Sequence, residues 1–264
     1  MEIYHLKQLS LNTLRRKSKA AAINSLKSIS SNIAEIREAV DCVKMFYATI
    51  LKDIEGVFYP KTLDELCKKP STFFRPNSVI EEINWILSYM RGQWLNIAWF
   101  VEKKIQFENC FLLGKYQEAH IVVEEIKDKL GVSLWYYEAM CLLYEYEGKN
   151  QEGLTFISET LLSCKDNNNY ILSVLYNLYE RCQRKLSPYK FDEDLNALYK
   201  RNRTELHEDY YKYILFRLNY CNQHANTDLS LPIMFESLSA LVDRYLILVL
   251  VIKSVLVKDP YNKE

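Results

Sequence analysis

Three glycines divide the middle of this 264-residue chain into two equal intervals. Gly114, Gly131 and Gly148 are separated by 17 residues each, in a chain that has only six glycines and six prolines. An all-β fold needs many turns that contain glycine or proline, so this low content argues against it. It favours long helices with short connections. The spacing predicts a helix and its turn twice over, and therefore a helical hairpin of 34 residues.

Apolar residues between these glycines follow the spacing of amphipathic helices. In the first interval they are Ala119, Val122, Val123, Ile126 and Leu130. In the second they are Leu134, Tyr137, Met140, Cys141 and Tyr144, and a third helix carries Leu154, Ile157 and Leu161. Gly131 is placed to end the first helix, and Ser133 is placed to cap the second. The centre of the chain is predicted to be all-α.

Two turn sequences return at the same 34-residue interval: LGKYQEA, starting at position 113, and EGKNQEG, starting at position 147. With their flanking helices they resemble the tetratricopeptide repeat (TPR), whose unit is a helical hairpin of this length. Gly114, Tyr116 and Ala119 match the family's Gly-x-Tyr-x-x-Ala pattern. The second copy has Asn150 and Gly153 in place of the tyrosine and alanine, which predicts a more loosely packed second hairpin.

The resemblance covers residues 107–163 and implies a right-handed α-solenoid of stacked hairpins. Upstream, Lys103 and Gln106 occupy positions that the family keeps apolar, so the first repeat is degenerate. A third unit starts near Asn168, and its inward residues would be Ile171, Val174, Leu175 and Leu178. The alternative is a pair of ordinary antiparallel hairpins in a helical bundle.

A stack of TPR-like units implies a concave groove lined by the first helix of each hairpin. The groove positions of the family fall on Lys104, Glu108, Phe111, Trp135, Glu138, Leu142, Glu145, Tyr146, Tyr176, Tyr179 and Glu180. This aromatic and acidic surface would bind another protein or peptide, basic or aromatic-rich in sequence. Family members that clamp a terminal carboxylate need an asparagine where this chain has Glu108, which argues against that subtype.

Both ends of the chain carry apolar heptads, which predict two long helices. The first seam is Leu26, Ile29, Ile33, Ile36, Val40, Val43, Tyr47, Ile50, Ile54 and Val57. The second is Leu231, Phe235, Leu238, Val242, Tyr245, Val249, Ile252 and Leu256. Neighbouring apolar residues, Leu241, Leu248 and Val251 among them, widen these faces, which favours packing inside the chain, against each other or a predicted helix at 79–101. A homodimer seam is the alternative.

These patterns divide the chain into four segments. Residues 1–58 hold a basic start and the first heptad helix, and residues 59–78, with Pro60 and Pro70, form a connector. Residues 79–203 form the TPR-like repeat region. Residues 204–264 form C-terminal helices that end in the second heptad helix.

The charge and motif content favours an interaction module over an enzyme. The formal net charge is zero, from 34 basic and 34 acidic residues, so no global field attracts nucleic acid. The seven cysteines show no metal-site spacing, and no signal peptide or membrane-spanning run is present, so we expect a cytoplasmic protein. No cofactor or metal is predicted. The prediction is a non-enzymatic scaffold, adaptor or regulator.

Two other functions stay open from the sequence. Arg201, followed by a polar residue and then by His207, resembles the loose signature of HEPN ribonucleases, in which the arginine holds the scissile phosphate and the histidine transfers a proton. That resemblance implies a metal-independent ribonuclease in an all-α dimer. The basic cluster from Arg15 to Lys19 instead suggests a regulator that binds nucleic acid.

Overall fold

The computed structural model describes residues 33–46, 56–67, 79–163, 170–184, 208–218, 230–236 and 239–258, with a few isolated positions between 190 and 200. Within these ranges the regular secondary structure is helical, which confirms the all-α prediction. The helices are α1 (Ile33–Phe46), α2 (Leu63–Leu66), α3 (Val79–Met90), α4 (Trp94–Leu112), α5 (Tyr116–Leu130), α6 (Leu134–Tyr146), α7 (Asn150–Ser163), α8 (Tyr170–Arg184), α9 (Glu208–Leu218), α10 (Ser230–Glu236) and α11 (Leu241–Lys258). The predicted helix at 79–101 is two helices, α3 and α4, joined by a 3₁₀ turn, Arg91–Gln93.

The turns after α4 and α6 have the same geometry. Gly114 has φ of 71° and Gly148 has φ of 73°, a left-handed conformation that glycine adopts without a steric penalty. The N–H of Lys115 donates to the carbonyl five residues earlier at 2.9 Å, and the N–H of Lys149 does the same at the same distance. The 34-residue return in sequence is therefore a return in backbone structure at these two turns.

The helices of the second hairpin approach each other closely at Gly153. A Cβ atom at this position would lie 2.9 Å from Cβ of Tyr144, so even an alanine would force a shift. Ala119, at the equivalent place in the first hairpin, is completely buried. The glycine therefore leaves room for the Tyr144 side chain at this point. Over their whole lengths, α5 buries five residues whereas α7 buries Gly153 and Ile157, so the predicted looser packing of the second hairpin is not overturned.

Successive helices of the repeat region pack against one another. Helix α4 packs on α5, α5 on α6, α6 on α7, α7 on α8, and α8 also reaches α6. The predicted caps are confirmed: Gly131 ends α5, and the hydroxyl of Ser133 accepts a hydrogen bond from the N–H of Tyr136 at the start of α6. The inward positions predicted for α5 and α8 are buried, since the apolar stripes face the shared core.

Residues 56–60 connect the repeat region to the C-terminal helices. The carbonyl of Pro60 accepts a hydrogen bond from the N–H of Val132 at 2.7 Å, and the carbonyl of Phe58 accepts one from Leu241 at 2.9 Å. Helix α2 follows this segment and buries Leu63 and Leu66 in the main core. The described part of the predicted connector is thus packed into the fold.

The second heptad run does not form one continuous helix. It is divided between α10, which ends at Glu236, and α11, which begins at Leu241. In α11 the heptad residue Val242 is buried, and so are Leu241, Leu248 and Val251 beside the heptad positions. The heptad residues Tyr245, Val249 and Ile252 are half-buried, and Leu256 is exposed.

Helix α11 packs against α4, α6 and α10, and it shares a buried apolar cluster with residues of α3 and α9. Arg244 is completely buried: its Nη2 donates to the carbonyl of Ser239 at 2.8 Å, and its guanidinium lies 4.4 Å from the centre of the Phe58 ring. Helix α1 packs on α3 and buries Ile36 and Val40. The described parts of both heptad helices thus pack inside the chain, while the homodimer seam stays an untested alternative.

Candidate binding cleft

A cleft with a volume of about 640 Å³ opens between α4 and α6. This volume is in the range of natural ligand pockets, which is roughly 300–1,000 Å³. The cleft is lined by Lys104, Ile105, Phe107, Glu108, Asn109, Phe111, Leu112, Trp135, Glu138, Ala139, Leu142 and Leu178. The ring of Phe107 on α4 contacts that of Trp135 on α6, and α8 packs on α6 and adds Leu178 to the lining.

Aromatic rings give the cleft a rigid wall. The rings of Phe107 and Trp135 meet edge to face with centroids 5.7 Å apart, and Phe100 lies behind Trp135 at 5.3 Å. Phe111 continues the row at 6.0 Å from Phe107. Edge-to-face pairs at these distances stabilise one another beyond their buried area. The wall is therefore preformed, and a ligand would not have to order it.

Large apolar side chains at the rim of the cleft are exposed to solvent. Ile105 is 53% exposed and Leu112 is 81% exposed, although both line the cleft. The two residues lie seven positions apart on α4, on the same side of the helix. Exposed apolar side chains beside a cavity are typical of a binding surface.

Six of the eleven groove residues predicted from the sequence line this cleft: Lys104, Glu108, Phe111, Trp135, Glu138 and Leu142. The other five are Glu145, Tyr146, Tyr176, Tyr179 and Glu180, and they lie outside its lining. Tyr146 is close, with its ring 4.9 Å from that of Phe111. Helix α8 contributes its inward residue Leu178 to the cleft, while Tyr176 is exposed and interacts with Glu180, whose charge raises the pKa of the phenol.

A buried charge network lies directly behind the cleft. Nε and Nη2 of Arg217, on α9, donate to the carboxylate of Glu138, at 2.9 and 3.3 Å. Its Nη1 lies 2.8 Å from both carboxylate oxygens of Glu236, on α10. Asp243, on α11, is 3.5 Å from Nη2. One guanidinium therefore links α6 to three C-terminal helices.

Asp243 also binds the first turn of α6. Its two carboxylate oxygens accept hydrogen bonds from the N–H groups of Leu134 at 2.8 Å and Trp135 at 3.0 Å. The first N–H groups of a helix have no partner within the helix and carry partial positive charge, so a carboxylate there is stabilised. Ser133 caps the same turn locally. The first turn of α6, the helix that carries Glu138, is thus held both by Asp243 and by Ser133.

The network is strongly desolvated. Burial raises the pKa of Glu236 to about 7, against the opposing effect of Arg217. Burial also raises the pKa of Asp243, although Arg217 and the two backbone N–H groups act to lower it. Tyr213 donates from its hydroxyl to Glu236 at 2.6 Å. Glu138 differs from the other two carboxylates because 17% of its side chain is exposed and it faces the cleft.

Sequence reasoning missed Arg217, Glu236 and Asp243 as a unit. One signal was present, since Asp243 and Arg244 interrupt an apolar helical face and Glu236 follows directly after the heptad residue Phe235. A charge at a core position needs a partner. The partners lie up to 109 positions apart in the chain, which periodicity does not reveal.

The residues predicted for other functions lie outside the described part of the chain. This holds for Arg201 and His207 of the ribonuclease alternative and for the basic cluster from Arg15 to Lys19. Within the described ranges no three His, Cys, Asp or Glu side chains are grouped so that they could hold a metal ion. The helices in those ranges include none with the length and apolar content required to cross a bilayer.

Comparisons of the chain with models of known protein families, with curated proteins and with solved structures gave no match.

Proposed function

We propose that this chain is a non-enzymatic, TPR-like helical-repeat protein that binds a segment of a partner protein in the cleft between α4 and α6. In this proposal the hairpins α4–α5 and α6–α7 are successive repeats of a short solenoid. The cytoplasm is its proposed location, and its role is that of a scaffold, adaptor or regulator.

The observation that carries the proposal is the combination of a preformed aromatic wall with an exposed apolar rim. Phe107, Phe111 and Trp135 are already packed against one another, so binding would not have to restrict their rotation. Ile105 and Leu112 expose apolar area that a partner would remove from water. Rigid aromatic side chains in a concave site are the usual anchors of protein–protein recognition.

The volume of the cleft favours a peptide segment as its ligand. A cleft of about 640 Å³ is large enough to hold several amino-acid side chains at once. An amphipathic helix or an extended peptide would place its apolar residues between α4 and α6. This is the helix-in-groove mode of recognition, in which residues spaced by one helical turn act as anchors.

A selection from a randomised, displayed 16-residue peptide library tests the proposal. Peptides enriched on the wild-type protein would be synthesised and their affinities measured on wild type, Leu142→Arg and Leu162→Arg. Leu142 lines the cleft, whereas Leu162 is an exposed leucine of α7 outside it. Both variants receive the same new charge, and circular dichroism would check that both fold.

We expect Leu142→Arg to weaken binding by at least roughly tenfold, which corresponds to about 1.4 kcal/mol, and Leu162→Arg to leave it unchanged. Equal affinity of the two variants would exclude the cleft as the binding site. Failure of the wild-type protein to enrich any peptide sequence would contradict the proposed function itself.

A further inference from the structure

Helix α6 contributes one face to the lining of the cleft. Its lining residues are Trp135, Glu138, Ala139 and Leu142, which stand at positions i, i+3, i+4 and i+7 of the helix. A small rotation of α6 about its axis would therefore move all four side chains relative to the wall that α4 supplies. The shape of the cleft thus depends on what holds α6 in place.

Helix α11 holds the first turn of α6. The N–H groups of Leu134 and Trp135 donate to the two carboxylate oxygens of Asp243, at 2.8 and 3.0 Å. The other contacts of this carboxylate are longer, at 3.4 Å from the hydroxyl of Ser239 and 3.5 Å from Nη2 of Arg217. Asp243 is completely buried, so water does not compete for these hydrogen bonds. The backbone of α6 is therefore its main partner.

The first turn of α5 lacks an anchor of this kind. Its N-cap residue, Lys115, makes no side-chain hydrogen bond to the turn. In α6 the N–H of Tyr136 has a local partner in Ser133, and Asp243 supplies partners for the two N–H groups before it. The additional anchor thus belongs to the helix that lines the cleft.

Helix α11 also contacts the aromatic wall from behind. The ring of Tyr245, two positions after Asp243, meets the ring of Phe100 edge to face, with centroids 6.1 Å apart. Phe100 meets Trp135 in the same way at 5.3 Å. One turn of α11 therefore contacts the backbone of Trp135 directly and its indole through one intervening ring.

We infer that Asp243 is a positioning residue of the cleft, because its two hydrogen bonds hold Trp135 where the partner segment binds. This inference rests on the proposed function. A site whose side chains are already held in place loses less conformational freedom when its ligand binds. Without these hydrogen bonds the first turn of α6 could move, and Trp135 would no longer be fixed against Phe107. Helix α11 thus sets part of the affinity of a cleft that it does not line.

Affinity measurements on Asp243→Asn and Glu236→Gln test the inference, with the tightest wild-type peptide from the selection described above. Asparagine offers one acceptor oxygen in place of two, so only one of the two N–H groups can keep its partner. Glu236→Gln is the matched control. Glu236 is equally buried and also binds Arg217, but its hydrogen bonds within the described residues do not include α6.

We expect Asp243→Asn to weaken binding of this peptide by roughly tenfold and Glu236→Gln to leave it unchanged. Circular dichroism would check that both variants fold.

Amide hydrogen exchange on the wild-type protein, followed by NMR, tests the same contact without a variant. Coupling between two equilibria is reciprocal. If the contact with Asp243 favours binding by roughly tenfold, saturating peptide should slow exchange at the N–H groups of Leu134 and Trp135 by about the same factor. The N–H of Gln117, in the first turn of α5, is the control and should exchange at an unchanged rate. Unchanged exchange at Leu134 and Trp135 would overturn the inference even if Asp243→Asn does not fold.

The outcomes separate the two proposals. Peptides whose binding depends on Leu142 but is unaffected by Asp243→Asn would overturn the role of Asp243 and leave the proposed function standing. Equal weakening by Asp243→Asn and Glu236→Gln would also overturn it, because loss of a carboxylate from the network would then explain both. If no peptide binds the wild-type protein, both proposals fail.

Discussion

The helical hairpins at residues 94–163 and the C-terminal helices share one apolar core, and the C-terminal helices also form buried ion pairs with it. Residues 94–163 are organised by apolar stripes and by turns whose backbone hydrogen bonds recur after 34 residues. Helices α9, α10 and α11 add apolar contacts, but they also meet α6 through Arg217 and its carboxylates. The first kind of packing tolerates substitution of one apolar residue by another, whereas the second requires every partner to be present.

Arg217→Met gives the largest expected effect and would break the second kind of attachment. Methionine keeps much of the volume but leaves Glu236 and Asp243 buried without their shared cation. Removing one member of a buried charge pair costs about 3–5 kcal/mol. We expect a loss of that size in the free energy of unfolding, measured by urea denaturation followed by circular dichroism.

Arg91→Met is the control for Arg217→Met, because Arg91 is exposed and a surface substitution of this kind should change stability by less than about 0.5 kcal/mol. Adding Glu236→Gln to Arg217→Met should recover part of the loss, since one buried charge is removed. If Arg217→Met is as stable as Arg91→Met, apolar contacts alone hold the C-terminal helices in place.

Gly131→Ala should break the junction between the two regions. Gly131 has φ of 81°, and a Cβ atom there would lie 2.2 Å from the carbonyl oxygen of Pro60. That carbonyl accepts a hydrogen bond from Val132, so the segment at residues 56–60 has to move and lose it. We expect a loss of about 2–4 kcal/mol, from left-handed strain and overpacking together.

Thermal and urea denaturation of Gly131→Ala should be compared with Gly92→Ala. A Cβ atom added at Gly92 would meet no other atom within 4 Å, and this residue has no positive φ, so its substitution should be nearly neutral. If Gly131→Ala leaves the free energy of unfolding unchanged, residues 56–60 can move away from Gly131 without destabilising the fold.

Arg217→Met and Gly131→Ala both test contacts that the sequence did not predict. The cap at Gly131 and the inward residues of α5 and α8 follow from local spacing, because helical periodicity and turn chemistry act within a few residues. The six groove positions that line the cleft were implied by the resemblance to the TPR family. The contact of Gly131 with Pro60 and the pairing of Arg217 with Glu138 join positions far apart in the chain. No periodic signal specifies such pairs. In α11 the heptad pattern included the buried Val242, but it did not predict that Leu241, Leu248 and Val251 are more buried than Tyr245, Val249 and Ile252.

The pH dependence of stability should distinguish the buried charge network from apolar packing, because only the network contains groups that titrate. Burial raises the pKa of Glu236 from its ordinary value of 4.5 to about 7, with Arg217, Tyr213, Asp243 and Glu138 facing it. Below pH 4.5 the carboxyl is protonated in both the folded and the unfolded chain. Between pH 4.5 and about 7 the unfolded chain releases this proton first, so the contribution of Glu236 to stability falls as the pH rises.

The unfolding free energy of wild type should therefore fall more between pH 5 and pH 8 than that of Glu236→Gln. The two decreases should differ by up to about 3 kcal/mol. Urea denaturation at several pH values measures the difference. Glu145→Gln, at an exposed position, should follow the wild-type curve. Parallel curves for wild type and Glu236→Gln would show that Glu236 does not titrate in this range.

Gly114→Ala and Gly148→Ala have the smallest expected effect and sharpen the equivalence of the two turns. Both glycines have positive φ, at 71° and 73°, and at both a Cβ atom would meet nothing within 4 Å. The cost is therefore conformational strain alone, about 1 kcal/mol for each. Because the turns share one geometry, the two losses should agree within about 0.5 kcal/mol and add in the double variant, as expected for separate sites. A much larger loss at one turn would show that this turn makes a tertiary contact that the other lacks. The two turns would then share a backbone geometry but contribute differently to stability.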